Sequence, residues 1–128
     1  MRLLLDTHAL LWYAVADLRL PLAARRAIGS PDNERFVSAA SAWEIATKTR
    51  RGKLAGGALA TDFLATVRAN GFRALSVSAQ DAQDAGNLPG PHPDPFDRML
   101  MAQALRRGLV LVSNEAAFDA YGVTRLWA

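Results

Sequence analysis

Asp94-Pro95-Phe96-Asp97-Arg98-Met99-Leu100-Met101-Ala102-Gln103-Ala104-Leu105 joins two carboxylates to the most clearly helical run in the chain. Proline is tolerated in the first turn of a helix, where its missing N–H had no partner to lose. Asp94 is therefore expected at the N-cap, Pro95 at N1 and Asp97 at N3. Phe96, Met99, Leu100 and Ala104 recur at helical spacing, Arg98, Arg106 and Arg107 lie off that face, and Gly108 ends the run. Leu109-Val110-Leu111-Val112 follows at once, with the length and β-branched content of a strand buried on both faces. A helix leading directly into such a strand predicts an α/β protein. Taken alone, Asp94 and Asp97 are accounted for by a capping box and a favourable contact with the helix dipole.

The same alternation extends in both directions. Met1 to Leu5 reads as an apolar strand, and Asp6-Thr7-His8 falls where the chain turns into a helix through Ala9, Leu10, Leu11 and Trp12. A helix is expected from Pro21 to Ile28, then a strand at Arg35-Phe36-Val37-Ser38. Ser41-Ala42-Trp43-Glu44 opens the next helix, which runs to Gly52 and places Glu44 where a capping box would. Ala58 to Ala69 reads as one amphipathic helix, Ala74 to Val77 as the third strand, and Ala79 to Ala85 as a short helix. Leu88-Pro89-Gly90-Pro91-His92-Pro93 cannot be regular structure, because proline removes donors and fixes φ. After the Leu109 strand come Ser113-Asn114-Glu115, a short helix containing Phe118 and Tyr121, and a final strand within Gly122 to Trp127. Strands separated by helices at this spacing imply crossover connections. The expected fold is a three-layer α/β/α sandwich with a mainly parallel central sheet.

Composition bounds what such a fold does. The 128 residues are enough for one domain with a real core, spanning 1–128, and half of them are hydrophobic. No cysteine is present, which excludes disulfides and thiolate metal sites and fits a reducing cytosol. Asp6 breaks the apolar run Leu3-Leu4-Leu5 far short of a membrane span, so a soluble, cytoplasmic protein is expected. Fifteen Lys and Arg against twelve Asp and Glu give a net +3, compatible with a polyanionic partner.

Ligands of parallel sheets bind outside the carboxyl ends of the strands. Asp6, Glu44, Asp97 and Glu115 each fall just after a strand or in the first turn of an adjoining helix, so they are expected to converge on one sheet edge. Four acids brought together raise one another's pKa values unless a cation neutralises them. With only His8 and His92 available besides oxygen donors, Mg²⁺ or Mn²⁺ is favoured over Zn²⁺. Such an ion lowers the pKa of bound water and clamps phosphoryl oxygens, pointing to phosphodiester hydrolysis. Lys48, Arg50, Arg51 and Lys53 have two readings: cations that complement a helix C-terminus on a solvated face, or holders of flanking phosphates. Trp12 and Trp43 read as core or interface residues rather than base-stacking platforms.

Leu5-Asp6-Thr7-His8-Ala9, Ser41-Ala42-Trp43-Glu44-Ile45 with Gly52-Lys53-Leu54, Asp94-Pro95-Phe96-Asp97-Arg98 and Leu111-Val112-Ser113-Asn114-Glu115, in this order, resemble the PIN-domain ribonucleases, and among them the VapC-like toxins of type II toxin–antitoxin pairs. The resemblance covers nearly the whole chain. It implies an Mg²⁺- or Mn²⁺-dependent endoribonuclease acting on RNA, inhibited by a cognate antitoxin and commonly a homodimer. By position Asp6, Glu44 and Asp97 match the metal-binding acids, with Asp94 in support. The fourth position departs from the family pattern of Thr or Ser, any residue, then Asp: here Ser113 and Asn114 precede Glu115. Either Glu115 or Asn114 fills that role, and Ser113 either bonds a carboxylate or caps the last helix.

Other readings of the acids fare less well. An aspartyl-phosphate phosphatase has a second Asp two residues after its nucleophile, where this chain has His8. A phospho-accepting receiver domain would place its acceptor Asp after the third strand, where this chain has Ser78-Ala79-Gln80. A non-catalytic binding module whose acids only cap helices must treat their recurrence at one sheet edge as coincidence.

Overall fold

Leu3 and Leu5 point to one side of the sheet and Leu4 to the other, and all three are buried. A strand apolar on both faces has to run through the middle of a covered sheet. The computed structural model describes residues 1–128 and places β1 (Arg2–Leu5) there, paired in parallel with β2 (Glu34–Ser38) on one side and β4 (Val110–Val112) on the other. β3 (Arg73–Leu75) lies outside β2, and β5 (Arg125–Leu126) lies outside β4. The order is β3-β2-β1-β4-β5, parallel throughout.

Leu3, Leu5, Val37 and Val112 pack against α1 (Thr7–Ala14), α2 (Leu22–Gly29), α3 (Ala39–Arg50), α4 (Ala58–Thr61) and α5 (Phe63–Ala69) through Leu10, Ile28, Ile45, Leu59 and Val67. Leu4 and Leu111 face the other way, onto Leu100, Met101 and Ala104 of α7 (Pro95–Arg107) and onto Phe118. Phe118 lies in a 3₁₀ turn, Ala116–Tyr121. α6 (Ala79–Asn87) covers the same face beside α7. This is the three-layer sandwich expected.

Several boundaries differ from expectation. The 58–69 segment is two helices, because Asp62 leaves helical geometry at φ −145°, ψ 59°. β3 stops at Leu75 rather than Val77, and the Ser76 carbonyl accepts from Gln103 Nε2 instead of joining the ladder. The last strand shrinks to two residues at the sheet edge. α7 begins as read: the Asp94 side chain accepts from Asp97 N–H, Pro95 is at N1, and Gly108 closes the helix in the left-handed region at φ 64°.

Candidate active site

From β1 the chain proceeds outward to β2 and β3, then returns to the other side of β1 for β4 and β5. The connections leaving the carboxyl ends of β1 and β4 therefore run in opposite directions and open a crevice between them. Asp6 follows β1 and Ser113-Asn114-Glu115 follow β4. A polar cleft of about 310 Å³ lies here, lined by Asp6, Thr7, His8, Trp12, Glu44, Lys48, Asp94, Asp97, Asn114 and Glu115.

Asp6 is 7% exposed and caps α1, its Oδ1 accepting from Ala9 N–H at 2.8 Å. Burial raises its pKa above the usual carboxylate range; bonds from the Ser113 hydroxyl and Ala9 pull it back, and the charge on Asp97 pushes the same way as burial. Capping uses one oxygen and does not require burial of the acid. Glu44 is not in a capping position, contrary to the sequence reading. α3 starts at Ala39 with Ser38 as its cap, bonded from Ala40 N–H, so Glu44 sits well inside the helix and is 4% exposed. Thr7 Oγ1 donates to Glu44 Oε1 at 2.5 Å, and Lys48 Nζ donates to Oε2 at 2.5 Å.

Asp97 does fall at N3 of α7, but its carboxylate turns to His92, with Nε2 and Oδ2 2.9 Å apart. Burial raises its pKa, the His92 contact opposes this, and the charges of Asp94 and Glu44 add to the rise. Asp97 thus couples electrostatically to Asp6, to Asp94 and to Glu44, which come from three separate segments.

The Ser113 hydroxyl, fully buried, accepts from Glu115 N–H and also reaches Asp6. It does not cap the 3₁₀ turn; its bond is to the Glu115 N–H ahead of that turn. The helical cap is Glu115, whose side chain accepts from Ala117 N–H at the start of the 3₁₀ turn. Glu115 and Asn114 are exposed at the cleft rim.

The donors are carboxylates and one amide oxygen, the hard ligands that Mg²⁺ and Mn²⁺ take. In this arrangement no three acidic or histidine side chains converge on one point. Lys48 holds Glu44, His92 holds Asp97, and Asp6 faces the α1 terminus. Lys48 is therefore an internal counter-ion rather than a member of a free basic cluster. Arg50, Arg51 and Lys53 are exposed, make no ion pair, and lie outside the cleft lining.

Trp12 is half-buried against Trp127, with the Arg19 guanidinium over its ring. Trp43 is 67% exposed, edge-on to Phe96, which rules out a core role. Thr7 as a holder of Glu44, and His92 as a partner of Asp97, go beyond the roles read from sequence. Thr7 had a signal, since it follows Asp6 in the turn leaving a central strand; its bond to a residue 37 positions away had none.

Fold and site together define an acid-lined cleft at the carboxyl ends of a parallel α/β sheet, and comparison with known proteins gives the family. A family model described as PIN domain matches residues 3–123. Ribonuclease VapC22 of Mycobacterium tuberculosis is 32% identical over 115 residues, covering 88% of this chain and 85% of the relative. The chain belongs to the PIN-domain family. Among solved structures, VapC20 of Mycobacterium tuberculosis, described as a sarcin–ricin loop cleaving toxin, matches with a TM-score of 0.71 at 19% identity, over 98% of this chain and 99% of that one. A chain of VapBC2 from Rickettsia felis, bound to a DNA fragment from its promoter, matches with a TM-score of 0.70 at 16% identity over all of both chains. A chain of DNA-bound VapBC from Salmonella typhimurium gives 0.67 at 19% identity, over 98% and 97%. At these identities the likeness is one of fold.

Proposed function

We propose that this single-domain chain is an endoribonuclease that hydrolyses RNA phosphodiester bonds with Mg²⁺ or Mn²⁺, and that it is the toxin of a toxin–antitoxin pair. The observation that carries this is the meeting of Asp6, Glu44 and Asp97, from three distant segments, in one cleft at the β1–β4 crevice. Burial raises the pKa values of Asp6 and Asp97 and neighbouring carboxylates add to the rise, as at sites where acids are held for a task rather than for stability. Membership of the PIN-domain family and the relation to Ribonuclease VapC22 support the substrate class.

Asp6, Glu44 and Asp97 are the acids we assign to a divalent cation, with Glu115 or Asn114 completing the set. Bound there, the ion would lower the pKa of a water and neutralise charge developing on the phosphodiester. Thr7 orients Glu44, and Lys48 neutralises that carboxylate until it is needed as a ligand. Arg50, Arg51 and Lys53 are assigned to the flanking phosphates, and Lys48 to Glu44.

A cognate antitoxin, a homodimer and a cytoplasmic setting belong to the same proposal. Toxin–antitoxin complexes among the structures of like fold support the first. The exposed Trp43, beside an apolar groove formed with Phe96 and Met99, supports a face covered by protein. No helix is long and apolar enough to cross a membrane.

The test is incubation of the purified chain with a mixed RNA pool in Mg²⁺, Mn²⁺ or EDTA, alongside calorimetric titration of Mn²⁺ into the protein. Cleavage that EDTA abolishes, with saturable Mn²⁺ binding, is expected. A folded chain that binds no divalent ion would point instead to a non-catalytic interaction module.

A further inference from the structure

Arg98 follows Asp97 in sequence but serves the loop that precedes α7. Its guanidinium carries five N–H groups in a rigid planar fork, and here all five find main-chain carbonyls. Nε donates to Ala85 O at 2.9 Å, Nη1 to His92 O at 3.0 Å and to Gly90 O at 3.3 Å, and Nη2 to Gly86 O at 3.5 Å and to Leu88 O. These acceptors belong to the last turn of α6 and to a loop whose prolines leave it no regular ladder. One side chain thus satisfies a segment that would otherwise have to be solvated.

Tyr121 forms a second tie to the same loop. His92 N–H donates to Tyr121 Oη at 2.8 Å. Gly90 adopts φ +120°, and a Cβ there would come within 2.6 Å of Tyr121 Oη, so the tyrosine seats directly on the loop backbone. Between these ties the His92 ring stands edge-on to Phe118, centroids 5.5 Å apart, with only 14% of its side chain exposed. Its Nε2 reaches Asp97 Oδ2 at 2.9 Å; with the carboxylate ionised, Nε2–H is the donor.

We propose that Arg98 is a positioning residue for the acid site: it holds the loop from Ala85 to His92, the loop fixes the His92 ring, and the ring orients the Asp97 carboxylate. This rests on the assignment of Asp97 as a metal-holding acid. Partners that orient a ligating carboxylate typically change metal affinity or activity by about 10- to 100-fold when removed. Lysine keeps the charge of Arg98 but cannot span five carbonyls from one ammonium.

The experiment records ¹⁵N-imidazole spectra of the metal-free protein for wild type, Asp97→Asn and Arg98→Lys, and titrates Mn²⁺ by calorimetry into wild type, Arg98→Lys, His92→Gln and the Arg98→Lys/His92→Gln double variant. Wild type is expected to show an ordered His92 Nε2–H resonance that moves in Asp97→Asn and is lost or averaged in folded Arg98→Lys. Mn²⁺ affinity is expected to fall about 10-fold in each single variant, and the double variant is expected to be no worse than the weaker single. A resonance unmoved in Arg98→Lys, or single effects that multiply in the double variant, would overturn the proposal and leave Arg98 as a loop stabiliser only. If Arg98→Lys does not fold, Tyr121→Phe loosens the loop from its other tie: a shifted resonance supports the loop's role, and an unshifted one overturns it. Should wild type bind no Mn²⁺, the metal assignment fails, while the spectra still decide whether Arg98 places His92.

Discussion

Thr7 and Glu44, 37 residues apart, are joined by a 2.5 Å hydrogen bond that ties the first turn of α1 to the interior of α3 across the cleft. Ser41 Oγ, 3.0 Å from the same threonine hydroxyl, completes a buried polar cluster. Glu44 can be buried because both its oxygens are met, one by Thr7 and one by Lys48. A buried acceptor stripped of its donor carries its desolvation cost uncompensated.

Thr7→Val removes the hydroxyl at nearly constant volume. Unfolding by urea is expected to show a loss of about 1–2 kcal/mol, and cleavage of RNA is expected to fall at least several-fold because Glu44 loses its orienting partner. Thr7→Ser, which keeps the hydroxyl, is expected to retain most of both. Equal behaviour of the two variants would contradict this role.

Asp6 is held in the fold at a cost to its charged form. Its folded pKa lies above its unfolded value because it is buried, so the folded state binds more protons once the unfolded carboxyl begins to ionise near pH 4. Stability attributable to Asp6 is therefore lost as pH rises from there through the raised folded value. Asparagine caps a helix as well as aspartate does. Asp6→Asn is expected to melt a few degrees higher than wild type at pH 7 in EDTA, with the advantage vanishing at about pH 3.5. A lower melting temperature at pH 7 would show that its charge is compensated in the folded protein.

Asp81 behaves oppositely. Its side chain is fully buried, accepts both Arg107 nitrogens at 2.8 and 2.9 Å, and completes a capping box with Ser78. The Arg107 guanidinium holds its carboxyl well below the usual range, so its stabilisation is complete above about pH 4 and is lost as pH falls further, toward the depressed folded value. Asp81→Asn is expected to cost about 3 kcal/mol at pH 7 and to flatten the acid limb of a stability–pH curve. An unchanged acid limb would place that lability elsewhere.

Arg50, Arg51 and Lys53 are exposed and unpaired, so their replacement by glutamine should leave the melting temperature within a degree or two. Weaker RNA binding and a shallower dependence of log affinity on log salt are expected, by roughly one unit of slope for each phosphate no longer neutralised. An unchanged slope would return these residues to a plain solvated face.

Much of this arrangement was legible because local chemistry states it. Asp94-Pro95 announces the start of α7 and Gly108 its end, and Leu3-Leu4-Leu5 announces a strand covered on both sides. Asp6 could be placed at the carboxyl end of β1 from that alone. The acid at Glu44 is legible but its place in the helix is not, because Ser38-Ala39-Ala40-Ser41 offers two serines and only Ser38 has the extended backbone of a cap. The break at Asp62 followed from no glycine or proline. The Glu44–Lys48 pair lies at i, i+4 spacing and was readable, yet the run of bases after it drew Lys48 into a different reading. Contacts such as Thr7 to Glu44 depend on how distant elements pack, which no local pattern encodes.

If Asp6, Glu44 and Asp97 perform the cleavage, the most direct measurement of it is the rate of RNA cleavage by Asp97→Asn beside wild type in Mg²⁺ and Mn²⁺, each shown to be folded by its melting curve. Asparagine keeps the volume and removes the charge. Loss of cleavage by at least about 100-fold with the fold intact is the predicted result. Cleavage at the wild-type rate would contradict the account, and would move the active site away from the β1–β4 crevice.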